Sequence, residues 1–210
     1  ILKNIQIEYL YNATGIKLKK VVTDNTSIIT TEYLSGFQYH TPATGTTALA
    51  LFPHAEGYVQ HVAGIYKYIY NYTDHLGNVR LSYTYDTEES KIRIMEENHY
   101  YPFGLKHSTH NTHRIEYGSI TKGGLIHAFL IELPAAAGNG SYKYKYNGKE
   151  FQDELGLNMY AMDMRQYDSA IARWIVQDPV VHHNFSPYSA FDNNPVFWSD
   201  PSGADAVYNW

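Results

Sequence analysis

Polar and apolar positions alternate with period two along much of the chain. Val79, Leu81, Tyr83 and Tyr85 interleave with Arg80, Ser82, Thr84 and Asp86. Ile65, Lys67, Ile69 and Asn71 oppose Tyr66, Tyr68, Tyr70 and Tyr72, and Tyr142, Tyr144 and Tyr146 alternate with Lys143, Lys145 and Asn147. Alternation sends successive side chains to opposite faces, so each segment predicts a half-buried β-strand. Turn-forming residues punctuate these runs. Asp74-His75-Leu76-Gly77-Asn78 and Asn12-Ala13-Thr14-Gly15 place Asp, Gly and Asn where a chain must visit positive φ before reversing. A repeated strand-turn-strand unit predicts stacked hairpins whose faces are buried only by neighbours.

Two stretches break the rhythm. Thr41 to Ala50, rich in Thr with Pro and Gly, predicts a loop. His107 to Ser141 carries His, Thr, Gly and Ala-Ala-Ala-Gly-Asn-Gly, and only Leu125 to Leu133 is apolar enough for a short strand or helix; it predicts a surface insertion.

Composition narrows the class. Tyrosine supplies 21 of 210 residues, against 8 Phe and 3 Trp, and its amphipathic ring suits strands whose two faces differ. With plentiful Gly, Asn, Asp and Thr, the profile is all-β. A net charge of -5 and a pI near 6.1 offer no basic stripe for nucleic acid. Zero cysteines removes disulfides, zinc-thiolate sites and cysteine nucleophiles. No apolar run approaches the roughly 20 residues of a membrane-spanning helix. The chain opens at Ile1 without a Met, a basic n-region or an apolar h-region, so it reads as a fragment, any export signal lying upstream or being absent.

The chemistry in view is carboxylate chemistry. Asp178-Pro179 and Asp200-Pro201 admit two readings. Asp before Pro opens turns, because Pro presets φ and the Asp side chain caps the next backbone N–H groups. Alternatively the two aspartates pair: carboxylates in hydrogen-bond reach cannot both ionise, so one holds a proton while the other activates water. Eleven histidines raise a metal reading at His107, His110 and His113 and at His182-His183, but without a helical period or a confirming carboxylate they predict a solvated loop. Glu88-Glu89 and Glu96-Glu97 predict solvated charge at strand ends, since neighbours on a strand point to opposite faces. No phosphate-binding Gly loop, Gly-x-Ser-x-Gly elbow or His-Glu-x-x-His motif occurs, and no metal or cofactor is called for.

One ordered set of strings is more specific. Tyr146-Asn147-Gly148-Lys149-Glu150, Gly156-Leu157-Asn158, Arg165-Gln166-Tyr167-Asp168, Ser186-Pro187-Tyr188, Asn193-Asn194-Pro195 and Asp200-Pro201-Ser202-Gly203 follow in that order. Upstream lie Asp74-His75-Leu76-Gly77-Asn78-Val79-Arg80 and Tyr100-Tyr101-Pro102-Phe103-Gly104. Together they resemble the Rhs/YD-repeat family, in the form of its C-terminal core common among Bacteroidetes.

That resemblance implies an all-β fold: antiparallel hairpin repeats forming part of a spiralling β-sheet shell, ended by an irregular C-terminal plug. Residues 1–145 would be YD-repeat-like shell, with an insertion at about 107–141, and residues 146–210 the core with its plug. The implied function is encapsulation of a C-terminal toxin or effector. With it comes conditional aspartic self-cleavage, once and in cis, by Asp178 and Asp200 just after Asp200-Pro201-Ser202-Gly203, in the region of Gly203 and Ala204. In that reading Asn193-Asn194-Pro195 folds the chain back between the aspartates, and Tyr188, Phe191, Phe197 and Trp198 pack the plug. Arg173, in the family's Gly-Arg-aromatic slot, would either grip one carboxylate or tie a turn to a strand; Arg165 is second in line. Ala172 in place of Gly predicts a backbone with no need of positive φ there. Val181 and Ala204 depart from the residues of many cleaving members. Implied partners are the chain's own effector segment, upstream shell repeats and secretion machinery; implied location is secreted or cell surface. The competing reading is a secreted or surface adhesion module, in which the Tyr-rich sheet presents aromatic platforms to glycan or protein and carries no catalysis. Adhesion places those rings outward in a contiguous patch; encapsulation lines a cavity with them.

Overall fold

Nine strands follow one another in one antiparallel sheet whose spatial order is the chain order. They are β1 (Ile5–Tyr11), β2 (Lys17–Asp24), β3 (Ser27–Leu34), β4 (Phe37–Thr41), β5 (Ala48–His54), β6 (Gly57–Val62), β7 (Ile65–Thr73), β8 (Val79–Asp86) and β9 (Lys91–Glu97). The computed structural model describes residues 4–62, 64–87, 90–107, 113–122, 125–134 and 142–208. Short connections of two to six residues dictate this order, because so short a reversal can pair a strand only with its predecessor. Asn25 at φ 56° and Ser35-Gly36 at φ 48° and 87° supply the positive φ that such reversals need. The all-β, antiparallel expectation therefore holds. Among the described residues no helix is long and apolar enough to cross a membrane.

A hairpin, β10 (His113–Lys122) with β11 (Leu125–Pro134), occupies the stretch read as an insertion. The apolar run from Leu125 is thus a strand. A four-stranded antiparallel sheet follows: β12 (Glu150–Gln152), β13 (Met159–Ala161), β14 (Gln166–Asp168) and β15 (Arg173–Trp174). One expected strand fails. Tyr142 to Tyr146 contributes only an isolated bridge, Tyr144 to Glu150, and then turns through Tyr146–Gly148. Its rings are not divided between a wet and a dry face; Tyr146 is 1% exposed and Lys145 5%.

Register decides which side chains share a face. Tyr33 pairs with Gln38, Gln38 with Leu51, and Tyr58 with Ile69, placing these on one side of the sheet. The C-terminal chain covers that side. Leu51, Tyr58 and Ile69 form a small core with Met95 and Tyr142, and Tyr58 stacks on Tyr142 with centroids 4.0 Å apart. The other side leaves Tyr66, Tyr68 and Tyr72 more than half exposed.

The main core lies under the second sheet. Tyr146, Tyr160, Met162, Tyr167, Trp174, Ala190 and Phe191 pack together, with Trp198 against them. Each large aromatic buried here contributes about 2–3 kcal/mol before the entropy of ordering it. Three of these tyrosines direct their hydroxyls at one loop: Tyr146 to the Pro102 carbonyl, Tyr167 to that of Phe103, and Tyr160 to that of Gly104. Buried hydroxyls must find acceptors, and a loop backbone has carbonyls free to accept. Of the four aromatics expected to pack the plug, Phe191 is fully buried, whereas Tyr188 and Phe197 stay substantially exposed.

The seam between sheet and core is charged. Lys20 on β2 lies 2.7 Å from one Glu150 oxygen and 2.6 Å from Glu154, while Lys17 reaches the other Glu150 oxygen at 2.5 Å. The Tyr33 hydroxyl also donates to Glu150 (2.9 Å), and that of Tyr9 to Gln152 (2.8 Å). Burial pushes the Glu150 carboxyl up, but Lys17 and Lys20 outweigh it and hold the group below its ordinary range. Glu96, expected as solvated charge, belongs to a similar pair: it meets Lys145 and Lys106 and is held below its ordinary range despite burial. Glu88-Glu89 lie outside the described residues.

Candidate functional site

Asp178 and Asp200 converge on one guanidinium. Arg165 precedes β14, so strand pairing fixes its backbone, and its side chain runs inward across the face of Trp174, 4.1 Å from the ring centroid. Its Nη2 lies 2.8 Å from Asp178 Oδ2 and 3.7 Å from Asp200 Oδ2. Its Nε donates to the carbonyl of Gly203, and Nη1 donates to that of Pro187 at 3.4 Å. The three ionic side chains are less than 10% exposed.

Local turn chemistry aims each aspartate. Asp178 Oδ1 accepts the Val180 N–H (2.8 Å), and its own N–H donates to the Pro187 carbonyl (2.9 Å). Asp200 Oδ1 accepts the Ser202 hydroxyl and the N–H groups of Gly203 and Ala204, at 2.9, 2.8 and 3.2 Å. Both are turn openers in the ordinary sense, and each keeps a second oxygen for Arg165. Gly203 has φ 73°, and a Cβ there would lie 3.2 Å from the Arg165 backbone nitrogen, so this turn admits only glycine comfortably. Burial raises the Asp200 carboxyl above its ordinary value, and the three donors and Arg165 only partly offset it. Burial likewise pulls Arg165 down, against the two aspartates.

Arg165, Asp178, Asp200, Ser186, Phe191 and Ala204 help line a small cavity of about 20 Å³. That is enough for one water molecule. His182 stands at the rim, 3.3 Å from Asp205. The arrangement can hold one water among two carboxylates, a guanidinium and Ala204.

Arg173 is not the gripping cation. It lies on β15 with an exposed side chain whose Nη1 donates to Asn193 Oδ1 at 3.2 Å, the turn-tying alternative. Ala172 beside it has φ 57°, contrary to the expectation drawn from the missing glycine; this costs about 1–2 kcal/mol. Among the described residues no three His, Asp or Glu side chains converge as metal ligands, and His110 lies outside them.

Sequence reasoning missed the residues behind the aspartates. Asn147 Oδ1 accepts the Asp200 N–H at 3.1 Å, and Asn78 Oδ1 accepts the Asn147 N–H at 2.8 Å. Both asparagines sit in turn strings legible in the sequence, but nothing local joins positions so far apart along the chain.

No family model matches this chain. Salivary gland surface protein 1 of Aedes aegypti is 30% identical over 118 residues, which span 55% of this chain and 3% of that protein. Among solved structures, crystal structures of TcdB2-TccC3-Cdc42 and of TcdB2-TccC3 each contain a chain similar at a TM-score of 0.67 and 20% identity. The match covers 95% of this chain and 9% of theirs. The chain thus shares its fold with a small part of much longer proteins.

Proposed function

We propose that this chain is the closing part of an Rhs/YD-repeat shell of the Bacteroidetes type. The shell encloses a C-terminal effector, and Asp178 and Asp200 release that effector by a single self-cleavage. The observation that carries the cleavage is the convergence of both aspartates on Arg165 while Arg165 Nε holds the Gly203 carbonyl. Support for the shell comes from the hairpin sheet with the C-terminal residues folded against one face, and from the fold shared over 95% of the chain with a segment of TcdB2-TccC3.

The reaction follows from the geometry. Water in the pocket adds to the Gly203 carbonyl carbon while Asp178 takes its proton. Arg165 stabilises the oxyanion that develops on the carbonyl it already contacts. In the resting fold the Ala204 N–H donates to Asp200 Oδ1 at 3.2 Å; once the carbonyl carbon is tetrahedral and this nitrogen pyramidal, Asp200, which burial inclines to keep a proton, protonates it and the Gly203–Ala204 bond breaks. No redox partner is required. The partners in this reading are the effector segment, the upstream repeats and the secretion machinery, and the shell works secreted or at the cell surface.

Intact-mass measurement on the full chain tests it. The expected result is loss of the segment beginning at Ala204, with full-length chain persisting in Asp178→Asn and Asp200→Asn. Identical processing in the wild type and both variants removes the protease.

A second reading has one observation in its favour. On the sheet face away from the core, Tyr66, Tyr68, Tyr72 and Tyr85 are each more than half exposed, and Phe37 stacks on Phe52 at 5.1 Å. Rings presented outward suit a surface adhesion module. Replacing Tyr66, Tyr68 and Tyr72 together by Ser separates the readings: an adhesion module loses retention on immobilised glycan or protein ligands, whereas a shell keeps its cargo.

A further inference from the structure

The turn joining β7 to β8 reaches the aspartate site. Asp74 organises this turn from within: Oδ1 accepts the N–H groups of Leu76 and Asn78 at 3.0 Å each, and Oδ2 accepts Asn78 Nδ2 (3.0 Å) and Arg80 Nε (2.7 Å). With its amide nitrogen so held, Asn78 points Oδ1 at the second turn, where it accepts both the backbone N–H and Nδ2 of Asn147, at 2.8 and 3.2 Å. That leaves Asn147 Oδ1 for the N–H of Asp200, at 3.1 Å. The path from Asp74 to Asp200 is continuous, and Asn78, Asn147 and Asp200 are 2%, 5% and 3% exposed. Each amide is oriented by its donor on one side and its acceptor on the other, which an aliphatic side chain cannot reproduce.

Two further contacts dock the same turn. The Val79 N–H donates to the Lys145 carbonyl at 3.0 Å. The His75 imidazole donates from Nε2 to the Val196 carbonyl at 2.9 Å, shortly before Asp200. Gly77 and Gly148, at φ 76° and 65°, supply the left-handed backbone that the two facing turns use.

We propose that the Asp74–Arg80 turn positions Asp200 through Asn78 and Asn147, so that the site becomes competent to cut only once this hairpin has docked. The inference rests on the protease reading above and adds its regulation. Completion of the sheet would license release, and a chain whose β7–β8 hairpin is unformed would keep its effector attached. Asn78 and Asn147 are positioning residues: neither touches the Gly203–Ala204 peptide.

Two variants and two readouts test it on the full chain. Asn147→Gly removes the side chain while accepting φ 50°, and Asn78→Ala removes the more distant link. Each is expected to raise amide exchange at Asp200, Gly203 and Ala204, and to slow loss of the segment after Gly203, by about tenfold or more. The double variant is expected to be no worse than Asn147→Gly alone, because one path is cut twice. Unchanged exchange at Asp200 in Asn147→Gly overturns the proposal, as does a double variant whose effect is the product of the single ones. Should Asn78→Ala not fold, exchange and cleavage in Asn147→Gly decide. A wild type that never cleaves, yet shows the exchange effect, removes the protease and leaves the positioning. Wild-type cleavage rates in both variants remove the licensing and leave the protease.

Discussion

Lys20 and Glu150 meet at 2.7 Å in the seam between the nine-stranded sheet and the C-terminal core, with side chains 4% and 5% exposed. Removing one partner strands the other in a poorly hydrated place. Lys20→Met should therefore destabilise the chain by about 3 kcal/mol, near the low end for a buried pair because Lys17 remains on Glu150. The midpoint of urea unfolding reads this; a shift under about 0.5 kcal/mol would make the pair incidental.

Acid should open the same seam. Glu150 and Glu96 are both held below their ordinary value of 4.5 by lysines, against the upward push of burial. A carboxyl lowered on folding stabilises fully above its unfolded value and loses that contribution as pH falls through the folded one. The melting temperature should thus fall steeply below pH 4.5. Glu150→Gln should start less stable at neutral pH and show a shallower acid slope. Parallel slopes for wild type and variant would remove Glu150 from this account.

Asp200 has the opposite sign. Its carboxyl is raised by burial, so the ionised form is disfavoured in the fold at neutral pH. Asp200→Asn keeps an oxygen to accept from Gly203 and Ala204 and loses the charge. It should fold with an unchanged or higher melting temperature while abolishing cleavage, a stability cost characteristic of working sites. A marked fall on thermal denaturation would instead give Asp200 a structural role.

Arg165→Lys should fail at both tasks of the guanidinium. A lysine cannot reach two carboxylates and the Gly203 carbonyl from one planar group, nor lie flat on Trp174. About 2 kcal/mol of stability should be lost, with cleavage undetectable by intact mass. Cleavage at the wild-type rate in this variant would exclude Arg165 from the oxyanion role.

Gly104→Ala should be more damaging than its size suggests. The backbone there has φ 83°, and a Cβ would fall 2.6 Å from the Tyr146 ring, which is 1% exposed. Strain and overpacking together should cost about 3 kcal/mol. Tyrosine fluorescence followed during urea denaturation would report it, and a neutral outcome would show that Tyr146 can shift.

Much of this architecture was legible because it is local. Ile65 to Thr73 alternates and is a strand whose register with β6 and β8 follows from short turns; which of its two faces is covered, with Ile69 buried and Tyr68 and Tyr72 exposed, the structure alone decides. The Asp74 to Arg80 string announced a turn, and it is one. Alternation misled at Tyr142 to Tyr146, where the rings enter two different cores and leave no solvent face. Glu96 read as solvated because its partner Lys145 lies far along the chain.

By itself the sequence determined an all-β chain of antiparallel hairpins, since period-two alternation and Gly-Asn-Asp turns act between neighbours in the chain. It also marked two aspartates in turn-opening positions. Only the tertiary structure decided that Arg165 rather than Arg173 stands between them, and that Asn78 and Asn147 lead from a distant hairpin to Asp200. Those relations depend on how the C-terminal chain folds back onto the sheet. They are contacts between residues that share no local period, so no pattern along the chain could have displayed them.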